Sequence, residues 1–340
     1  MTVPSELDPG ARHRQPIDAQ LQDVLDQEAR RERDAAPPTT AVALRQQLRR
    51  TRAALAPYHP AVHEVESLLI AGVEGHDIAC RMYRPVPDAP FLVVYFHGGG
   101  WVVGDLDTAD GNARHLAVAT GADVVSVDYR KAPEHPFPAG LDDAISSVRT
   151  LADRFGRGRR VAVAGDSAGA NLAAVCARRL ASAHGGPVVA QLLAYPVTDC
   201  DLTRSSYADE PHGVAWRAAM AWCWDLYAPD VTARIHPDAS PIRADDVSHA
   251  PPAVVLLAGH DGLFDEGAAY ARRLADEGVA VTLLVYESAL HGFLAYAGLV
   301  DLSSAAIAAA GRALRDATLA PDASRRGNAD AHTGGSNGSA

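Results

Sequence analysis

A chain of 340 residues is long enough for one large α/β domain or two ordinary ones, and an apolar share of 48% supplies a full core. Asp and Glu number 42 against 31 Lys and Arg, a formal charge of −11, so phosphate backbones and anionic lipid are repelled; neither nucleic acid nor polybasic membrane docking is expected. No apolar stretch approaches the ~20 residues of a membrane span, and Met1-Thr-Val-Pro-Ser-Glu lacks the basic and apolar regions of a secretory leader. Four cysteines without CxxC spacing argue against a zinc knuckle or a disulfide framework. The expectation is a soluble, reduced, cytoplasmic protein.

Residues 1–20 are polar without a clear period and read as frayed. From Ala19 to Ala56 helix formers and Arg dominate, interrupted at Pro37-Pro38-Thr39-Thr40, which predicts two short helices, the second capped by Thr39 or Thr40. Val62–Ile70 and His76–Arg84 flank a Gly-containing loop and read as a hairpin. Six apolar runs then follow: Phe91–Phe96, Val124–Val127, Val161–Ala164, Val189–Leu193, Val254–Leu257 and Val281–Val285. Helix-length segments separate most of them, namely Gly111–Thr120, Leu141–Phe155, Ala168–Ala183 and Ala268–Glu277. Buried runs alternating with helices predict a mostly parallel sheet covered on both faces. Thr198–Val247 breaks the rhythm with Trp216, Trp222, Trp224 and Tyr227, and reads either as one more core-facing helix or as a lid over a pocket. A last helix spans Ser303–Thr318, and the Pro, Asp, Ser, Gly and Asn beyond it read as a disordered tail.

The sharpest local signal is Gly165-Asp166-Ser167-Ala168-Gly169, between a strand-like run and a helix-forming segment. A Gly-x-Ser-x-Gly in that context is a nucleophile elbow: the glycines permit a sharp turn, the serine oxygen stands at the sheet's carboxyl edge, and the Ala168 amide points at the same spot. His97-Gly98-Gly99-Gly100-Trp101 directly follows the strand Phe91–Phe96, and successive glycines leave peptide N–H groups unobstructed for a developing oxyanion. Neither GxxxxGK[ST] nor GxGxxG occurs, so this is not a phosphate loop.

A serine nucleophile needs a base, and the base an orienter. Asp261 follows the strand Val254–Leu257, and His291 follows the strand Val281–Val285, in the order serine, acid, histidine. Both therefore belong at the carboxyl edge, where open α/β sheets build their sites. His260 precedes the acid, against that order; Asp265 and Glu266 suit the start of the next helix; Glu287 is only a sequence neighbour of His291. Asp166 reads as a structural hydrogen-bonding residue, and His97 with Gly98 as support for the glycine loop. HExxH is absent and the histidines are scattered, so neither a metal nor another cofactor is expected.

Together these motifs resemble the hormone-sensitive-lipase-like branch of the α/β-hydrolases, the bacterial family IV esterases, over roughly residues 40–318. The resemblance rests on His97-Gly-Gly-Gly-Trp101, the segment Asp128-Tyr-Arg-Lys-Ala-Pro-Glu-His-Pro-Phe-Pro-Ala139, Gly165-Asp-Ser-Ala-Gly-Ala-Asn171, Asp261-Gly-Leu-Phe-Asp-Glu-Gly267 and His291-Gly-Phe293. It implies an α/β-hydrolase fold with a helical cap, with Ser167 as nucleophile, His291 as base and Asp261 as orienter. The amides of Gly99, Gly100 and Ala168 would form the oxyanion hole. The Tyr-Arg-x-Ala-Pro-Glu segment would support that loop. Two departures stand out: Ala170 replaces a second glycine, and Gly262 stands where a proline is usual, which should loosen the loop holding Asp261.

The implied organisation is N-terminal cap helices over 1–56, catalytic domain over 57–198 and 248–319, a cap insertion over 199–247 and a disordered tail over 320–340. The implied function is a serine carboxylesterase taking short- to medium-chain esters, with Trp101 binding substrate beside the cap tryptophans. Acyl transfer to another acceptor, lactone processing and a non-catalytic small-molecule receptor stay open. A small-molecule ester is the expected partner, with a homodimer left open.

Overall fold

The computed structural model describes residues 15–32, 38–156, 158–208 and 213–320. Its centre is an eight-stranded sheet: β1 (Glu64–Ala71), β2 (Asp77–Arg84), β3 (Phe91–Phe96), β4 (Asp123–Val127), β5 (Arg160–Asp166), β6 (Val188–Ala194), β7 (Ala253–His260) and β8 (Val281–Leu290). The spatial order is β1-β2-β4-β3-β5-β6-β7-β8; the first two pairings are antiparallel and all the others parallel. Strand β3 shows why the run is unbroken. Phe91, Val93 and Tyr95 enter one core and Leu92, Val94 and Phe96 the other, so both faces of the pleat must be apolar.

Helices α3 (Asp110–Thr120) and α9 (Asp301–Leu319) pack on one face. Helices α4 (Ala139–Phe155), α5 (Ala168–Arg179) and α8 (Phe264–Asp276) cover the other. Ahead of the sheet run α1 (Ala19–Glu32) and α2 (Ala41–Ala53), and the Thr40 hydroxyl accepts the Ala43 N–H at 3.2 Å as the N-cap of α2. Between β6 and β7 stand a 3-10 turn, Ser205–Tyr207, then α6 (Gly213–Tyr227) and the single turn α7 (Val231–Arg234). Among the described residues no helix is long and apolar enough to cross a membrane.

From β3 the chain moves outward to β4 and then returns past β3 to β5. The order reverses there, and at such a switch point the two following loops diverge and leave a crevice at the carboxyl ends of the strands. The glycine loop follows β3 and the serine turn follows β5, so both motifs open onto that crevice.

Three expectations need correction. Residues 15–20 are not frayed: the Asp18 N–H donates to Ser288 O (3.0 Å), the Asp18 carboxylate accepts the Leu21 N–H (3.0 Å) and Leu21 is fully buried. A hydrogen bond to β8 and the buried Leu21 hold a segment whose composition alone looks unstructured. The helix read as Ala168–Ala183 ends at Arg179, and a separate 3-10 turn spans Ser182–His184. Strand β8 continues five residues beyond the apolar run, to Leu290. The expectations for residues 1–14, and for the tail after Ala320, lie outside the described residues.

Candidate active site

Ser167 sits between β5 and α5 with φ 55° and ψ −120°, a strained backbone for a side chain with Cβ. Its neighbours hold it there. The Ser167 N–H donates to Ala194 O (2.9 Å), and Ser167 O accepts from Asn171 N (3.1 Å). The elbow also forces the helix start against β3: a Cβ on Gly169 would lie 2.0 Å from Phe96 O, so only glycine fits there. Ala170, where a second glycine is commoner, is fully buried in the core.

The Ser167 hydroxyl is 3.0 Å from His291 Nε2, and His291 Nδ1 is 2.7 Å from Asp261 Oδ2. The imidazole ring is flanked by Trp216 (centroids 4.4 Å) and Tyr195 (4.8 Å), which restrict its tilt. Asp261 is almost fully buried, and its second oxygen accepts the Leu263 N–H at 2.9 Å. A carboxylate, imidazole and hydroxyl connected in this way can move a proton off the hydroxyl while the carboxylate stabilises the resulting cation.

The loop around Asp261 is tied down despite Gly262. The Ser206 hydroxyl donates to Gly262 O (2.5 Å) and the Ser206 N–H to Asp265 (2.7 Å). Glu266 adds a second tie: fully buried, it accepts the Thr198 N–H (2.8 Å) and the Tyr207 hydroxyl (3.0 Å). Asp265 and Glu266 stand in the first turn of α8, as expected, and are also buried links to the segment after β6. Burial pushes the Glu266 carboxyl up to about 8. A raised carboxyl stabilises the fold fully below the ordinary glutamate range, and that contribution is lost as pH rises toward 8, because the unfolded chain ionises first. Glu266→Gln keeps the neutral form, so its melting temperature relative to the wild type should rise between pH 5 and pH 8. Thermal melts across that window check it, and parallel curves would contradict it.

The glycine loop turns with positive φ at Gly99 (118°), Gly100 (59°) and Trp101 (60°). Among the described residues the amides of Gly99, Gly100 and Ala168 donate to no protein acceptor, which leaves them free for an oxyanion. Asp166 accepts the Gly98 N–H (3.0 Å) and the Tyr95 hydroxyl (2.5 Å), linking elbow and loop. His97 Nδ1 lies 2.8 Å from Gly98 O, and burial keeps this imidazole neutral by lowering its pKa, so Nδ1 is the donor. The segment without a derivable role in sequence now has one: the Tyr129 ring stacks on His97 at 4.6 Å and its hydroxyl donates to His97 O at 2.8 Å. Arg45 of α2 donates to Val102 O, Ala132 O and both oxygens of Glu134, fastening α2 to loop and segment together.

A cavity of about 330 Å³ opens at Ser167 and His291. Its walls are the glycine loop, Leu44, Leu48 and Arg52 of α2, and Trp216, Met220, Trp222 and Cys223 of α6. Trp101, expected to bind substrate, does not line it. The backbone turns at that residue, and the indole is 1% exposed, stacked on Tyr227 (4.1 Å) and against Trp224. Sequence reading put α2 among the N-terminal cap helices but did not single out Leu44, Leu48 and Arg52, which recur every four residues on one helical face.

The sheet, its switch point and the serine turn define an α/β-hydrolase. A family model described as the alpha/beta hydrolase fold matches residues 93–295. Esterase LipI of Mycobacterium tuberculosis is 42% identical over 264 residues, 74% of this chain and 81% of that one. Carboxylesterase NlhH of the same species is 43% identical over 252 residues, 70% and 77% of the two chains. The structure of a hyperthermophilic esterase from the archaeon Pyrobaculum calidifontis superposes with a TM-score of 0.81 at 35% identity, covering 90% of this chain and all of that one. The chain belongs to the α/β-hydrolase family, in its hormone-sensitive-lipase-like, family IV esterase branch.

Proposed function

We propose that the protein is a serine carboxylesterase acting on short- to medium-chain carboxylic esters. Ser167 attacks the ester carbonyl as His291 Nε2 takes the hydroxyl proton, and Asp261 holds the imidazole tautomer and balances its charge. The carbonyl oxygen becomes an oxyanion facing the amides of Gly99, Gly100 and Ala168. Collapse breaks the bond to the alkoxide, which leaves with the proton from His291, and an acyl-enzyme remains. Water then attacks the acyl carbon, gives its proton to His291, and the acid departs as Ser167 regains that proton. The observation that carries this reading is the hydrogen-bonded series from Ser167 through His291 to Asp261, 3.0 and 2.7 Å, beside unpartnered amides. The esterase names of the relatives support it. The cavity, at the small end of ligand pockets, favours compact acyl groups. With α2 and α6 as two of its walls, residues 1–56 and 199–247 act together as the cap in this reading.

A fluorophosphonate probe tests the nucleophile directly. Stoichiometric labelling at Ser167, with parallel loss of p-nitrophenyl butyrate hydrolysis, is the expected result. An intact, unlabelled protein with full turnover would overturn the assignment.

A further inference from the structure

The catalytic cavity contains a cationic group that the ester chemistry does not use. Arg52, in the last turn of α2, lines the same space as Ser167 and His291. Its guanidinium carbon lies 5.5 Å from the centroid of the Tyr296 ring, a cation–π contact that positions the group without neutralising it. The Tyr296 hydroxyl donates to Glu28 (3.0 Å). Among the described residues no carboxylate pairs with Arg52. The carboxylate on the cavity wall, Asp166, is occupied by Tyr95 and the Gly98 amide. A guanidinium on a cavity wall with no protein carboxylate beside it leaves its charge to be balanced by a ligand.

The wall around it is graded. Leu44 and Leu48 precede Arg52 on the same face of α2, each four residues and so about 6 Å further along the axis. A ligand lying along this wall meets methyl groups and then a guanidinium, which is the complement of a short aliphatic chain ending in a carboxylate.

We infer that Arg52 receives the free carboxylate of the substrate, so that the protein takes esters bearing an anionic end, such as monoesters of short aliphatic dicarboxylic acids. This rests on the ester-hydrolase reading and deepens it. Arg52 is then a specificity residue: it touches the substrate's remote end, not the reacting atoms.

The test compares monoethyl with diethyl esters of succinate, glutarate and adipate. In Arg52→Gln the ratio of kcat/KM for monoester over diester should fall about tenfold or more, the loss expected for one charge-assisted hydrogen-bonded pair. Arg52→Lys, which keeps the charge but not the fork, should recover part of it. A ratio unchanged in Arg52→Gln overturns the inference. A second readout needs no turnover. Calorimetric binding of monoethyl adipate to Ser167→Ala protein should weaken about tenfold when Arg52→Gln is added, and equal binding overturns the inference as well. Hydrolysis of p-nitrophenyl butyrate by the wild type decides the ester reading separately, so the two failures are distinguishable.

Discussion

Ser167→Ala should lower kcat for p-nitrophenyl butyrate by about 10⁴-fold or more. The size follows from the chemistry, since without Oγ the cavity retains its free amides and its binding walls but has no atom to form the acyl-enzyme. The variant should stay folded. Ser167 occupies the N-cap position of α5, but its side chain makes no capping hydrogen bond, so alanine removes no structural contact at the helix start. Circular dichroism and thermal melting should therefore match the wild type while turnover is lost. Asp261→Asn is the companion. An amide facing His291 Nδ1 across 2.7 Å can present its N–H₂, which selects the tautomer with a protonated Nε2 and so blocks proton transfer from Ser167. A loss of similar order is expected there, concentrated in kcat. Should Ser167→Ala retain more than about a hundredth of the wild-type kcat, the nucleophile is a different group.

Much of this site was legible in the sequence because it is built from local patterns. The run Phe91–Phe96 matches β3 end to end, since both faces of a central strand are buried and the apolar signal stops where the glycine loop begins. The elbow, the glycine loop, Asp261 and His291 each sit immediately after a strand, so chain order and strand ends together located them. What escaped was tertiary. Strand β8 lies at the sheet edge, half-buried over most of its length, and its polar Tyr286-Glu287-Ser288 gave no apolar run to read. Trp101 has a side chain suited to a binding wall, but the positive φ that turns it inward is a property of the folded loop. Glu266 looked like a helix-start carboxylate, and only its partners Thr198 and Tyr207, far away in sequence, make it a buried tie. Arg52 lies on a helix whose spacing is visible in the sequence, but the wall it faces is set by Arg45 docking onto Val102, Ala132 and Glu134.

The glycine loop yields the second large effect. Gly100 has φ 59°, and a Cβ there would lie 2.4 Å from Cys223 Sγ and 3.2 Å from Cys223 Cβ. Gly100→Ala therefore meets two separate penalties: a left-handed backbone, costing about 1–2 kcal/mol for a residue with Cβ, and an overlap with α6. Relief requires the loop to shift, which moves the Gly99 and Gly100 amides away from the oxyanion. The expected loss in kcat for p-nitrophenyl acetate is on the order of 10²–10³-fold, that of an oxyanion donor removed. The overlap is with a thiol at the end of a side chain, so Cys223→Ala should remove most of it, and the double variant should recover part of the lost kcat. Gly99→Ala gives the contrast. Its Cβ would lie 2.3 Å from the main-chain oxygen of Val103, which no truncation of Cys223 can move, so its loss should be the same in both backgrounds. If Gly100→Ala were equally impaired with and without Cys223, backbone conformation alone would set the position of these amides, and contact with α6 would have no part in it.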